Sequence, residues 1–102
     1  MQTPESKVKD QIFKHIKALQ VKGTPIVYEA REAGGYTYKK GKPDFWIAYY
    51  GKHIEFEVKA PGGSMSTMQY KWAEIYKRSG VPCYCVESVK EFDEALKENY
   101  PD

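Results

Sequence analysis

Residues 43–59 read PDFWIAYYGKHIEFEVK, and the way this stretch pairs with itself decides the fold. Tyr50-Gly51-Lys52-His53 sits between two runs rich in β-formers. A two-residue loop of Gly51 and Lys52 suits a type II′ hairpin turn. Tyr50 then pairs with His53, Tyr49 with Ile54, Ile47 with Phe56, Trp46 with Glu57 and Asp44 with Lys59. Successive strand side chains point to opposite faces. One face therefore collects Phe45, Ile47, Tyr49, Ile54, Phe56 and Val58. The other collects Asp44, Trp46, Ala48, Glu55, Glu57 and Lys59. A slip of one residue would scramble both sets.

This register sets Asp44 opposite Lys59, with Glu57 diagonal to Asp44. Two carboxylates within reach of each other repel unless a cation lies between them. Oxygen donors of this kind suit Mg²⁺ or Mn²⁺. Such an ion lowers the pKa of a bound water and polarises a phosphoryl oxygen. Lys59 would hold the attacking water or stabilise charge developing at phosphorus. An exposed sheet face with a cross-strand Asp-Lys pair gives the same pattern. Such a pair contributes only about 0.2–1 kcal/mol, so geometry alone leaves both readings open.

The chain has 102 residues and a net charge of +2, which fits one soluble domain over residues 1–102 with its own core. No apolar run approaches the roughly 20 residues of a membrane span, and the N-terminus MQTPESKVKD does not read as a signal peptide. The expected setting is cytoplasmic and reducing. Cys83 and Cys85 are read as small apolar core residues, since a disulfide between them would be strained and no zinc spacing accompanies them.

Outward from the hairpin, Thr3 caps a helix over Pro4–Val21 that Gly23 stops, with Val8, Ile12, Ile16 and Leu19 as its apolar stripe. Glu5 falls on its inward side. It reads either as a third acid near the hairpin or as a first-turn Glu favoured by the helix dipole. Residues 26–30 form a strand in which the facing of Glu29 is open. Residues 31–42 make a Gly-rich loop whose Lys39, Lys40 and Lys42 suit a phosphate backbone, unless they are simply solvated. Tyr36, Tyr38 and Trp46 are candidates for stacking on bases, with packing the stronger reading for Trp46. Ser66 and Gln69 form the capping box of a second helix with a Met68, Trp72 and Ile75 stripe. Gln69 is a candidate either for that cap or for the site. Residues 81–87 form a buried strand, and Ser88 with Glu91 opens a last helix through Glu98, with Phe92, Ala95 and Leu96 facing inward. The order is α-β-β-β-α-β-α, an α/β fold with a mixed central sheet flanked by helices.

Pro43-Asp44 followed by Glu57-Val58-Lys59 on the next strand resembles the PD-(D/E)xK nuclease superfamily. Gly41-Lys42-Pro43-Asp44-Phe45, Glu57 to Gly63, Ser66 with Gln69, Gly80-Val81-Pro82 and Val86-Glu87-Ser88 together resemble the VRR-NUC (virus-type replication-repair nuclease) domain, over nearly the whole chain. The resemblance implies a restriction-endonuclease-like core and metal-dependent cleavage of DNA. Asp44, Glu57 and the carbonyl of Val58 would be metal ligands, Lys59 the catalytic lysine, Glu5 a further acid of the metal shell, and Gln69 a residue positioning the site from its helix. Small stand-alone members of that family, typically from phages, resemble Holliday junction resolvases and act as homodimers. Larger members carry the domain at the end of a DNA repair nuclease, and nothing in this chain supplies their other DNA-binding parts. The expected function is thus a Mg²⁺/Mn²⁺-dependent endonuclease on branched DNA. The alternatives are a flap-cutting, nicking or restriction-type nuclease, or a DNA-binding or assembly module without turnover. Glu55 adds a further acid on the active face, expected to be an exposed charge rather than part of the metal shell.

Overall fold

The computed structural model describes residues 2–31 and 41–102. The elements follow the expected order: α1 (Pro4–Val21), β1 (Ile26–Ala30), β2 (Phe45–Tyr49), β3 (Lys52–Val58), α2 (Thr67–Arg78), β4 (Cys83–Val86) and α3 (Val89–Glu98). The sheet runs β1-β2-β3-β4, antiparallel across its first two pairings and parallel between β3 and β4. A parallel neighbour needs a crossover, and α2 supplies it.

Helix α1 begins where capping chemistry requires. The Thr3 hydroxyl accepts from the Ser6 N–H, Pro4 occupies the first turn, and the Lys22 cap hands over to Gly23 at φ 92°. Its Val8, Ile12 and Ile16 are buried against Phe45, Ile47, Ile54, Phe56 and Val58, which are fully enclosed, and against Phe92, Ala95 and Leu96 of α3. One sheet face is therefore covered by α1 and α3. Phe45 stacks on Phe56 at 5.2 Å, and Phe92 lies 4.8 Å from Phe56. Each such ring contributes about 1.5–3 kcal/mol by leaving water.

The hairpin turn lies one residue earlier than the sequence suggests. Tyr50 and Gly51 are the loop residues, at φ 49° and 78°, and Tyr49 pairs with Lys52. Two positive φ values are the signature of a type I′ turn, whose twist suits the strands. A bulky residue in the left-handed region is costly. Here the Tyr50 ring packs edge-on against Tyr49 and Tyr100, at 4.8 and 5.4 Å, and its N–H donates to the Pro25 carbonyl. Moving the turn by one residue moves cross-strand partners by two, which preserves both faces but changes who meets whom. Ile47 faces Ile54, Trp46 faces Glu55 and Phe45 faces Phe56. One step further along, Asp44 comes beside Glu57, not Lys59.

Three more expectations are corrected. The inward stripe of α2 is not Met68, Trp72 and Ile75, since Met68 and Ile75 are both 39% exposed. The side chains of α2 that meet the sheet side are Gln69, Ala73 and Tyr76, with Trp72 half-buried beside them. This offset suits a helix packed on a polar sheet face. Strand β4 is shorter than expected and lies at the sheet edge, so Cys83 is half-buried and Cys85 exposed rather than in the core. Burial pushes the Cys83 thiol up to about 11, with Glu55 adding to the shift. Finally, Glu55 is fully buried, not an exposed charge.

Candidate metal centre

The second sheet face carries charge, and α2 covers it only in part. At one end of β2 and β3, three carboxylates meet. Oxygens of Glu5, Asp44 and Glu57 lie within 4.8 Å of one another. Glu5 arrives from the first turn of α1, Asp44 from the residue before β2, and Glu57 from the penultimate position of β3. Asp44 Oδ2 accepts from the Val58 N–H at 2.8 Å, which ties it to the strand bearing Glu57. The Val58 side chain itself is in the core.

Glu57 is 3% exposed. Burial pushes its carboxyl up to about 9, helped by hydrogen bonding and charge from Asp44, with a smaller push from Glu5 and an opposing pull from Lys59. Lys59 Nζ stands 3.9 Å from Glu57 Oε2. Gln69 makes a contact toward each of its two candidate roles. Its amide oxygen accepts from the Ser66 N–H at 2.8 Å to close the capping box, and its amide nitrogen donates to Glu57 Oε2 at 3.2 Å. One side chain thus fixes the start of α2 to the acid group.

Sequence reasoning missed two residues. Lys9 places Nζ 3.5 Å from Asp44 Oδ1. It lies one turn after Glu5 on α1, a spacing that sets both on one helix face and was the available signal. Arg31 opens the stretch that reads in sequence as a Gly-rich loop. Its guanidinium grips Glu55 with Nη1 at 2.5 Å and Nη2 at 2.9 Å, while His53 Nε2 lies 2.5 Å from the same carboxylate. Glu55 therefore belongs to an ion pair and stands apart from the metal-type cluster. Glu29 is exposed and is not in that cluster either.

Trp46 is half-buried and stacks on His53 at 4.8 Å. Lys42 lies over the Trp72 ring at 5.2 Å, a cation–π contact. Gly41 passes so close to α2 that a Cβ there would fall 2.6 Å from the Met68 Cβ, and its φ of 88° also favours glycine. Lys39, Lys40, Tyr36 and Tyr38 lie outside the described residues.

The donor set fits a hard divalent cation. Three carboxylates converge, one of them is buried, and the neighbouring amine and amide nitrogen are donors rather than competing acceptors.

No protein-family model matches the sequence. No curated protein matches it either. A search of solved structures finds a VRR_NUC domain with a TM-score of 0.75 and 22% sequence identity, covering 98% of this chain and 100% of that one. The chain has the VRR_NUC fold. The elements that bring Glu5, Asp44, Glu57 and Lys59 together are thus those of the VRR_NUC fold, in the order the sequence motifs suggested.

Proposed function

We propose that the protein is a Mg²⁺- or Mn²⁺-dependent nuclease that hydrolyses phosphodiester bonds in branched DNA, in the manner of a Holliday junction resolvase. The observation that carries this reading is the meeting of Glu5, Asp44 and Glu57 within 4.8 Å, with the Lys59 amine 3.9 Å from Glu57. Lys9 and Lys59 flank the trio at 3.5 and 3.9 Å, but Glu57 is buried against another carboxylate, and a cation between the acids would offset that repulsion.

Asp44, Glu57 and Glu5 would hold the ion, with the Val58 carbonyl as a further ligand. When bound, the ion supplies Lewis acidity and a water of lowered pKa. Lys59 would orient the attacking water and offset charge building on the non-bridging phosphate oxygens. Hydrolysis would form a bond from a water oxygen to phosphorus and break the bond from phosphorus to the 3′ oxygen, which takes up the proton the water gives off, leaving a 5′-phosphate and a 3′-hydroxyl. Lys9 holds Asp44 from α1, with its amine 3.5 Å from Oδ1. Gln69 keeps the Glu57 carboxylate in place. Lys39, Lys40 and Lys42 meet the DNA backbone. A branched substrate with two-fold symmetry calls for two sites, which a symmetric homodimer provides. The substrate places this work inside a cell. Among the described residues no helix is long and apolar enough to cross a membrane.

The test is cleavage of a labelled four-way junction beside matched flap and linear duplex DNA, with Mg²⁺, Mn²⁺ or EDTA, for the native chain and Asp44→Asn. Paired, metal-dependent cuts in opposite arms are expected, and none from Asp44→Asn while circular dichroism shows it folded. Cuts confined to the flap would replace the resolvase with a flap nuclease. Tight junction binding without any cut would make the chain a binding module.

A further inference from the structure

Arg31 touches both peptide groups that flank the Asp44 Cα. Its backbone N–H donates to the Asp44 carbonyl at 2.9 Å, and its Nη1 donates to the Pro43 carbonyl at 3.0 Å. Fixing the planes on either side of a Cα fixes φ and ψ there, and so the direction in which the Cα–Cβ bond leaves the strand, while the Val58 N–H holds the carboxylate at its end. The guanidinium is itself anchored. It makes the two-nitrogen grip on Glu55, and Nη2 reaches the Tyr76 hydroxyl at 3.3 Å. Glu55 is fully enclosed and lies two residues before Glu57 on the same face of β3. One residue therefore ties the backbone carrying Asp44 to the strand carrying Glu57. Only a planar fork with several donors makes these contacts together, and a lysine does not.

We propose that Arg31, anchored on Glu55, is a positioning residue that fixes the direction of Asp44 and thereby sets the affinity of the acid trio for a divalent cation. This rests on the metal-site reading above. The ion pair is a costly way to fill a protein interior, since apolar residues of similar volume often serve as well or better for stability. Its value lies in direction. Its removal as a pair leaves the net charge near the trio unchanged, so any loss of affinity reports geometry rather than field.

The test is Mn²⁺ binding followed by electron paramagnetic resonance, to millimolar Mn²⁺, with chemical unfolding as the stability control. Arg31→Lys is expected to weaken binding about 10–100-fold, the usual effect of losing a group that orients a ligand. The double variant Arg31→Met/Glu55→Met is expected to keep its stability and show the same loss. In an Asp44→Asn background, Arg31→Lys is expected to cost nothing more, because its effect runs through Asp44. Native affinity in the double variant, or a full repeated loss in the Asp44→Asn background, would overturn the proposal. If the double variant does not fold, the Arg31→Lys and Asp44→Asn cycle decides alone. Absence of Mn²⁺ uptake by the native chain would remove the metal-site reading, and this proposal with it.

Discussion

Glu55 and Glu57 stand two residues apart on one face of one strand, are both buried, and are treated in opposite ways. Glu55 is met by the Arg31 guanidinium and by the His53 ring, on which Trp46 stacks. Glu57 is met by another carboxylate, with an amide at 3.2 Å and an amine at 3.9 Å. Its carboxyl is held up at about 9. The first acid has a guanidinium built against it; the second faces another acid, a repulsion that the proposed divalent cation would relieve. Beneath both lies the opposite sheet face, where burial alone does the holding. A structural charge and a candidate functional charge are thus told apart by what surrounds them, since their burial is the same.

The contrast can be broken from below or from within. Phe45→Ala empties the apolar face and should cost about 3–5 kcal/mol in urea unfolding, dragging down both acids with the fold. Glu55→Gln should cost about 3 kcal/mol, because it strands a guanidinium. Glu57→Gln should go the other way and stabilise the metal-free protein at pH 8 by upwards of about 1 kcal/mol, while ending metal uptake. Equal signs for the two Glu→Gln changes would erase the distinction.

The same contrast has a pH signature. Between the ordinary Glu57 value of 4.5 and its raised value of about 9, the folded chain keeps a proton that the unfolded chain has released. The stability of the metal-free protein should therefore fall, through this group, as pH rises across that window, and Glu57→Gln should remove that part of the slope. Saturating Mg²⁺ should offset the fall, with affinity climbing toward pH 9 as the ionised form gains its partner. The smallest effect belongs to Lys42→Ala. It should lower the slope of log affinity for DNA against log salt by about 1, as measured by fluorescence anisotropy, and leave the two glutamates unchanged.

The two sheet faces were legible because alternation survives an even shift. Misplacing the turn by one residue moved every cross-strand partner by two, so Phe45, Ile47, Ile54 and Phe56 still fell on the core side. The pairing of Asp44 was not so protected and moved from Lys59 to Glu57. The bounds and buried stripe of helix α1 were legible because its cap, its proline, its apolar spacing and its stopping glycine agreed, whereas its Lys9 contact to Asp44 was not. The face of α2 was not, since its sheet side is chosen by Glu57 and Arg31 rather than by apolar residues. The burial of Glu55 was not legible, because the guanidinium that grips it comes from Arg31, 24 residues earlier in the chain. Cys83 and Cys85 misled because a residue type usual in cores was placed on an edge strand.

Strand order in the sheet is chain order, β1 to β4. This has a kinetic consequence. Asp44 and Glu57 flank a hairpin, the kind of element that closes in about 1–10 μs, so the heart of the site forms from the most local of the sheet's contacts. Gln69 joins when the neighbouring helix packs. Glu5, separated from Asp44 by most of the first half of the chain, joins when α1 docks. Short loops close at lower entropic cost than long ones. The acid that completes the trio is therefore the one that waits for α1 to dock, and a chain with α1 undocked would hold a pair of acids without the third.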